Sequence, residues 1–198
     1  MSNSGVFRIG IYGGTFNPPH MAHLIVAENV CERFRLDKLF FIPSYISPHK
    51  KRGEDKLALH RLRMVRSAIK GNPRFDISDL ELKRKGISYT YETVEAFHRE
   101  FPHSKLFLLI GADNFAEFHT WKHPERVVEL ASVIVMNRQF QKSGAVDKNF
   151  SRTVRFALVP DIQISSSEIR TMVHQHKSIR YLVPHVVFRY IERQKLYR

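Results

Sequence analysis

Cysteine is nearly missing from this chain of 198 residues; Cys31 stands alone. A single thiol excludes an internal disulfide framework and any zinc site built from several cysteines. Long apolar runs are missing as well, and none approaches the ~20 residues that a membrane-spanning helix needs. The opening residues Met1-Ser-Asn-Ser-Gly5 lack both the basic and the apolar region of a secretory signal. These absences fit a protein of the reducing cytoplasm, with no membrane partner. Two glycine patterns are absent too. Gly10, Gly13 and Gly14 do not fall on G-x-G-x-x-G, and no G-x-x-x-x-G-K-[ST] loop occurs. The second apolar run ends in Pro43-Ser44 rather than in an acid, which removes the dinucleotide-oxidoreductase pattern. Acidic residues are scarce, with 19 Asp+Glu against 32 Lys+Arg, giving a net charge of +13 and a pI near 10.1. Such a balance suits polyanionic partners. The basic residues are spread along the whole chain and no nucleic-acid motif accompanies them, so nucleotides are expected rather than a duplex.

What is present is ordinary in bulk and specific in detail. With 43% apolar and 26% charged residues, the chain is expected to bury a proper core as a single domain over 1–198. Its most informative stretch runs from Ile9 to Leu24. The apolar run Val6 to Tyr12 predicts a buried strand that stops at Gly13-Gly14, where backbone can lie close to a ligand. Pro18-Pro19 bars helix just before a helical pattern begins, which continues to about Arg35. A strand, a glycine turn and a helix N-terminus present free N–H groups and a positive dipole end to an anion. His20 and His23, three residues apart, project from one face of that first turn. A phosphate is the anion this arrangement suits.

Strands and helices alternate through the rest of the chain. Lys38 to Pro43 predicts a second strand, followed by the basic loop Ser44 to Arg52, in which Lys50 is the candidate phosphate ligand. Leu57 to Ile69 predicts an amphipathic helix with Arg61, Arg63 and Arg66 on its polar side. Arg74 to Ser78 reads as a short strand and the charged Glu81 to Gly86 as a turn. Ile87 onward leads into a helix with Thr90 as its expected N-cap. Lys105 to Ile110 is the strongest strand, closed by Gly111 and followed by Asp113, an acid placed for a ribose hydroxyl. Phe115, Phe118 and the one tryptophan, Trp121, precede a helix starting near Pro124. Ser132 to Met136 predicts a strand leading into Asn137-Arg138, and Gln139 to Ser151 reads as a mobile loop. Val154 to Val159 is the last strand. Ile164 to Arg170 reads as a serine-capped helix start, and an amphipathic helix ends near Ile191. This alternation predicts an α/β protein with a doubly wound parallel sheet and helices on both faces.

Gly-Gly-Thr-Phe-Asn-Pro-Pro-His-Met-Ala-His, residues 13–23, resembles the (T/S)-x-x-H-x-G-H signature of the nucleotidyltransferase superfamily, with Ala22 where glycine is usual. Ile164-Ser-Ser-Ser-Glu-Ile-Arg170 is similar to its second signature, I-S-S-T-x-x-R, with Ser167 keeping the hydroxyl. Pro48-His-Lys50, Ile87-Ser-Tyr-Thr90, Gly111-Ala-Asp113, Thr120-Trp-Lys122 and Ile179 to Pro184 are similar to segments of bacterial nicotinate-nucleotide adenylyltransferases. The resemblance covers nearly the whole chain, and implies a Rossmann-like fold. It also implies transfer of AMP from ATP to nicotinate mononucleotide, giving nicotinate adenine dinucleotide and pyrophosphate. The catalytic residues it implies are His20, His23 and Arg170. ATP is assigned to Gly13, Gly14, Thr15, Phe16, His20, His23, Gly111, Asp113, Arg138, Ser166, Ser167 and Arg170. The acceptor is assigned to Thr15, Lys50, Thr90 and Trp121. Magnesium is expected with ATP, held by phosphates and water rather than by a protein metal site. Alternatives stay open: nicotinamide mononucleotide or phosphopantetheine as acceptor, a nucleic-acid-binding module with a vestigial nucleotide fold, and assembly into a homo-oligomer.

Overall fold

Residues 6–48, 54–137 and 153–198 are described by the structure, a computed structural model. Its first unit is strand β1 (Arg8–Gly14), helix α1 (Met21–Arg33) and strand β2 (Lys38–Pro43). Helix α2 (Ala58–Ala68), strand β3 (Phe75–Ile77), a short helix α3 (Leu80–Arg84) and helix α4 (Thr90–Glu100) follow. Then come β4 (Lys105–Gly111), the short α5 (Ala112–Ala116), α6 (Pro124–Leu130), β5 (Ala131–Asn137) and β6 (Val154–Leu158). Helices α7 (Ser166–His174) and α8 (His185–Gln194) finish the series.

The six strands are all parallel, in the order β3-β2-β1-β4-β5-β6. The chain winds outward from β1 to β3, returns, and winds outward the other way from β4. A doubly wound sheet is thus what the alternation of strands and helices specified. In such sheets ligands bind beyond the carboxyl ends of the strands where the winding reverses, here between β1 and β4.

Strand β4 shows how the two faces are made. Leu106, Leu108 and Ile110 join a cluster with Val94, Phe97 and Val127 from α4 and α6. The alternate residues Phe107 and Leu109 join Ala27, Val30, Cys31 and Val65 from α1 and α2. Period-two alternation sends consecutive side chains to opposite faces, so an unbroken apolar run belongs between two helical layers. Each such buried side chain contributes roughly 1.5–3 kcal/mol. A third cluster joins Met64 of α2 to Ile169, Val173, Val187 and Ile191 of α7 and α8, which seats the last two helices against α2.

Three local expectations are corrected. Glu81 to Gly86 is not simply a turn, because Leu80–Arg84 forms a helical turn that ends at Lys85 and Gly86, both at positive φ. Tyr89, rather than Thr90, is the N-cap of α4, so Thr90 is its first helical residue. Arg61 does not face solvent with Arg63 and Arg66; it is buried with 0% exposure. The expected loop Gln139 to Ser151, together with Lys50 and Arg138, lies outside the described residues. Among the described residues, no helix is long and apolar enough to cross a membrane.

Candidate active site

A cleft of about 1030 Å³ lies at the carboxyl ends of the strands, bounded by Gly13 to Phe16 at the end of β1 and by Gly111 at the end of β4. Along its first wall, Gly13 has open space where a side chain would stand. A Cβ on Gly14 would come within 2.9 Å of the Phe16 ring. That ring is folded back against Gly14, with Phe16 itself at φ 49°. Side chains from distant elements hold the carbonyls of this loop. Arg61 Nη1 donates to the Thr15 carbonyl at 2.8 Å, Arg170 Nη1 to Asn17 at 2.9 Å and Ser166 Oγ to Pro18 at 2.8 Å. Tyr197 Oη donates to Asn17 Oδ1 at 2.6 Å.

His20 is the N-cap of α1 and His23 its third residue. The two rings stack with centroids 3.7 Å apart and 27° between planes. The His20 backbone N–H donates to His23 Nδ1 at 3.1 Å. That bond makes Nδ1 an acceptor, so the neutral ring carries its proton on Nε2 and offers a donor there. His20 is 5% exposed, and both residues line the cleft. Opposite them, Ser165 caps α7, its Oγ accepting the Glu168 N–H at 3.2 Å. Ser165 and Ser166 also line the cleft. Two helix N-termini therefore open onto one space, an arrangement that favours anions.

The far end of the cleft is lined by Ser88, Tyr89, Thr90, Thr93, Trp121 and Lys122. The Trp121 indole packs against Phe118, with centroids 5.2 Å apart. Lys122 Nζ sits 4.3 Å from the centroid of the Tyr89 ring. Beneath them is Glu81, 6% exposed, whose Oε1 accepts the Thr93 hydroxyl at 2.6 Å. Burial raises its pKa above the ordinary glutamate range, against the hydroxyls of Thr93 and Ser88 and the charges of Arg84 and Arg61, which pull it down.

The cleft thus brings together Gly13, Gly14, Thr15, Phe16, His20, His23, Thr90, Gly111, Trp121 and Ser166. Other candidates are placed differently. Asp113 is exposed in the first turn of α5, and Ser167 is exposed and faces a neighbouring groove with Glu168 and Met172. Arg170 braces the Asn17 carbonyl from behind the loop. Sequence reasoning assigned no role to Ser44, Glu81, Ser88 or Arg61. Among the described residues, no group of three or more His, Cys, Asp or Glu side chains gathers as a metal cage.

The cytidylyltransferase-like family model matches residues 11–172. A Salinibacter ruber protein named "Probable nicotinate-nucleotide adenylyltransferase" is 39% identical, covering 96% of this chain and 97% of its own. A Dictyoglomus thermophilum protein of the same name is 42% identical, covering 96% of this chain and 99% of its own. The chain belongs to the nicotinate-nucleotide adenylyltransferase family. A solved structure of Plasmodium falciparum nicotinic acid mononucleotide adenylyltransferase complexed with NaAD superposes with a TM-score of 0.77 at 20% identity. That superposition covers 96% of this chain and 97% of that one, and supports the fold. Within this adenylyltransferase the two signatures face each other across the cleft. Ala22, where the superfamily has glycine, is buried at 4% exposure and lines the cleft beside His23.

Proposed function

We propose that the protein transfers AMP from ATP to nicotinate mononucleotide in the cytoplasm, releasing pyrophosphate and forming nicotinate adenine dinucleotide. One observation carries this reading. A single cleft holds a phosphate-seeking end, built from two helix N-termini and the stacked His20–His23 pair, and an aromatic end at Trp121. The names of the full-length relatives support it.

In this reaction an oxygen of the acceptor phosphate attacks the α-phosphorus of ATP. A new P–O bond forms, the bond from the α-phosphorus to the bridging oxygen breaks, and the electron pair leaves with pyrophosphate. The attacking phosphate is already mostly ionised near neutral pH, since its second pKa is about 6. No general base is required. What remains is to hold two polyanions in line and to stabilise charge as it moves to the leaving group. The backbone at Gly13 to Phe16 lets the triphosphate approach closely. His20 and His23 donate to phosphate oxygens, and Ser166 supplies a hydroxyl from the α7 N-terminus. Gly111, Asp113, Arg138, Ser167 and Arg170 are assigned to ATP, Asp113 to a ribose hydroxyl, by the resemblance of their segments to the family. Lys50 and Thr15 are assigned to the acceptor phosphate. Trp121 stacks on the pyridine ring, while Thr90 at the start of α4 receives its carboxylate. Magnesium is expected to arrive on the triphosphate, held by phosphate oxygens and water rather than by a protein metal site. Bound with the nucleotide, magnesium would supply charge that neutralises the departing pyrophosphate.

Pyrophosphate release from ATP is the test, with nicotinate mononucleotide, nicotinamide mononucleotide and phosphopantetheine offered in turn. Release that is fastest with the nicotinate acceptor is expected. Faster release with either other acceptor reassigns the substrate. No release with any of them, together with salt-sensitive oligonucleotide binding, overturns the enzymatic reading.

A further inference from the structure

The side chain of Arg61 rises from α2 into the space beneath the cleft, and it has no exposed surface. It does not line the cleft, so it cannot touch a substrate there. Its guanidinium donates to backbone oxygens at two strand ends. Nη1 reaches the Thr15 carbonyl at 2.8 Å, and Nη2 reaches Ser44 at 2.6 Å and Tyr45 at 3.2 Å. Thr15 follows β1 and Ser44 follows β2, so one rigid fork joins the loops at two adjacent strand ends. Arginine suits this because its donors diverge in one fixed plane.

Each of these bonds also aims a group on the opposite side. In a planar trans peptide the N–H points away from the carbonyl. Holding the Thr15 carbonyl therefore turns the Phe16 N–H away from Arg61. Holding the Ser44 carbonyl turns the Tyr45 N–H the other way, and that N–H donates to Ser88 Oγ at 2.9 Å. Ser88 stands two residues before Thr90, and the Ser88 N–H donates to the Ile46 carbonyl at 2.9 Å. A continuous set of bonds thus runs from the loop at the ATP end, through Arg61, to the segment at the start of α4.

We propose that Arg61 is a positioning residue that sets the spacing between the ATP and acceptor halves of the cleft without touching either substrate. The inference rests on the adenylyl-transfer reading and adds to it how two bound anions are brought into line. The helix N-termini at the ATP end and the Thr90–Trp121 end belong to different elements and share only the loop at Thr15, so binding of each substrate alone is expected to depend little on their spacing. Only the reacting pair is sensitive to their spacing, and an error near 1 Å in that spacing costs about 10²-fold in rate.

The test compares Arg61→Lys with the unsubstituted protein. Lysine keeps the positive charge as a single point and cannot span the three carbonyls. Binary affinities are measured for magnesium-ATP by calorimetry and for nicotinate mononucleotide by Trp121 fluorescence. Turnover is measured as pyrophosphate release per folded molecule. The expected result is a fall in kcat of about a hundredfold, with both binary affinities changed by less than about threefold. Unchanged kcat per folded molecule, or affinity for one substrate falling in step with kcat, overturns the proposal. If Arg61→Lys does not fold, Ser88→Ala decides the matter from the other end of the same set of bonds. A loss of kcat with retained affinities supports the link, and unchanged kcat overturns it. Pyrophosphate release by the unsubstituted protein separates this from the parent reading. If only a different acceptor is used, the same comparison is run with that acceptor; if none is used, the adenylyl-transfer reading itself has failed.

Discussion

His20 and His23 act on each other before they act on anything else. Their rings stack at 3.7 Å, and the backbone of the first is bonded to Nδ1 of the second. Both rings also serve the start of α1 in a reciprocal capping box. His20→Ala and His23→Ala are each expected to lower turnover by about two orders of magnitude, as loss of a preorganised donor does. Each substitution also removes one arm of that capping box and is expected to cost about 1 kcal/mol of stability. Thermal melts alongside turnover will show this, and near-normal rates in either variant with ATP still bound would remove the electrostatic role.

Arg170 has a second duty beyond any phosphate, because it holds the Asn17 carbonyl. Arg170→Ala is expected to raise the KM for ATP by about 10- to 100-fold, the worth of one lost hydrogen bond to a charged group. The KM for the acceptor should change much less. An ATP dependence equal to that of the unsubstituted protein would leave the serine segment as a helix cap only.

For the acceptor, the relevant comparison is kcat/KM for nicotinate against nicotinamide mononucleotide. A helix N-terminus at Thr90 offers donors to a carboxylate, whereas an amide turns its own NH₂ toward them. Each unpaired buried group costs roughly 1–3 kcal/mol, so a preference of about tenfold to a hundredfold per mismatch is expected. Trp121→Phe should retain most activity and Trp121→Ala should lose acceptor affinity. Equal specificity constants for the two mononucleotides would refute the acceptor assignment while leaving adenylyl transfer standing.

Glu81 makes stability depend on pH in a stated direction. Burial raises its pKa from the ordinary value of 4.5, so the folded protein keeps a proton that the unfolded chain has shed. Stability is therefore lost as pH rises from about 4.5 toward the raised value, and the loss then levels off. Glu81→Gln keeps an oxygen for the Thr93 hydroxyl and removes the titration. Its Tm should gain on the unsubstituted protein as pH rises through that window. A gap that narrows with rising pH would contradict the assignment.

Sequence signals were strong where burial and backbone chemistry coincide, and weak where one side chain serves a distant backbone. Lys38–Pro43 was legible to the residue, since an apolar run ends where proline removes a donor. Gly13-Gly14 and the two histidines marked the site because glycine, proline and helix-start residues each constrain the chain locally. Leu80–Arg84 escaped because five charged-rich residues are too few to show a helical period. Arg61 escaped for a different reason. An arginine at polar spacing reads as solvent-facing, and the Thr15, Ser44 and Tyr45 carbonyls it meets are groups that every residue has. Glu81 was hidden likewise, its burial depending on Thr93 and Ser88 twelve and seven positions away.

The Tyr197–Asn17 bond has a consequence for the order in which the protein is made. Asn17 belongs to the loop after the first strand, and its phenol partner lies 180 residues downstream. During translation that loop leaves the ribosome early and must wait for Ser166, Arg170 and Tyr197 before its carbonyls and its amide are all engaged. All six strands precede Ser166, Arg170 and Tyr197 in the chain. The nucleotide end of the cleft therefore cannot be fully braced until almost the whole chain has been synthesised.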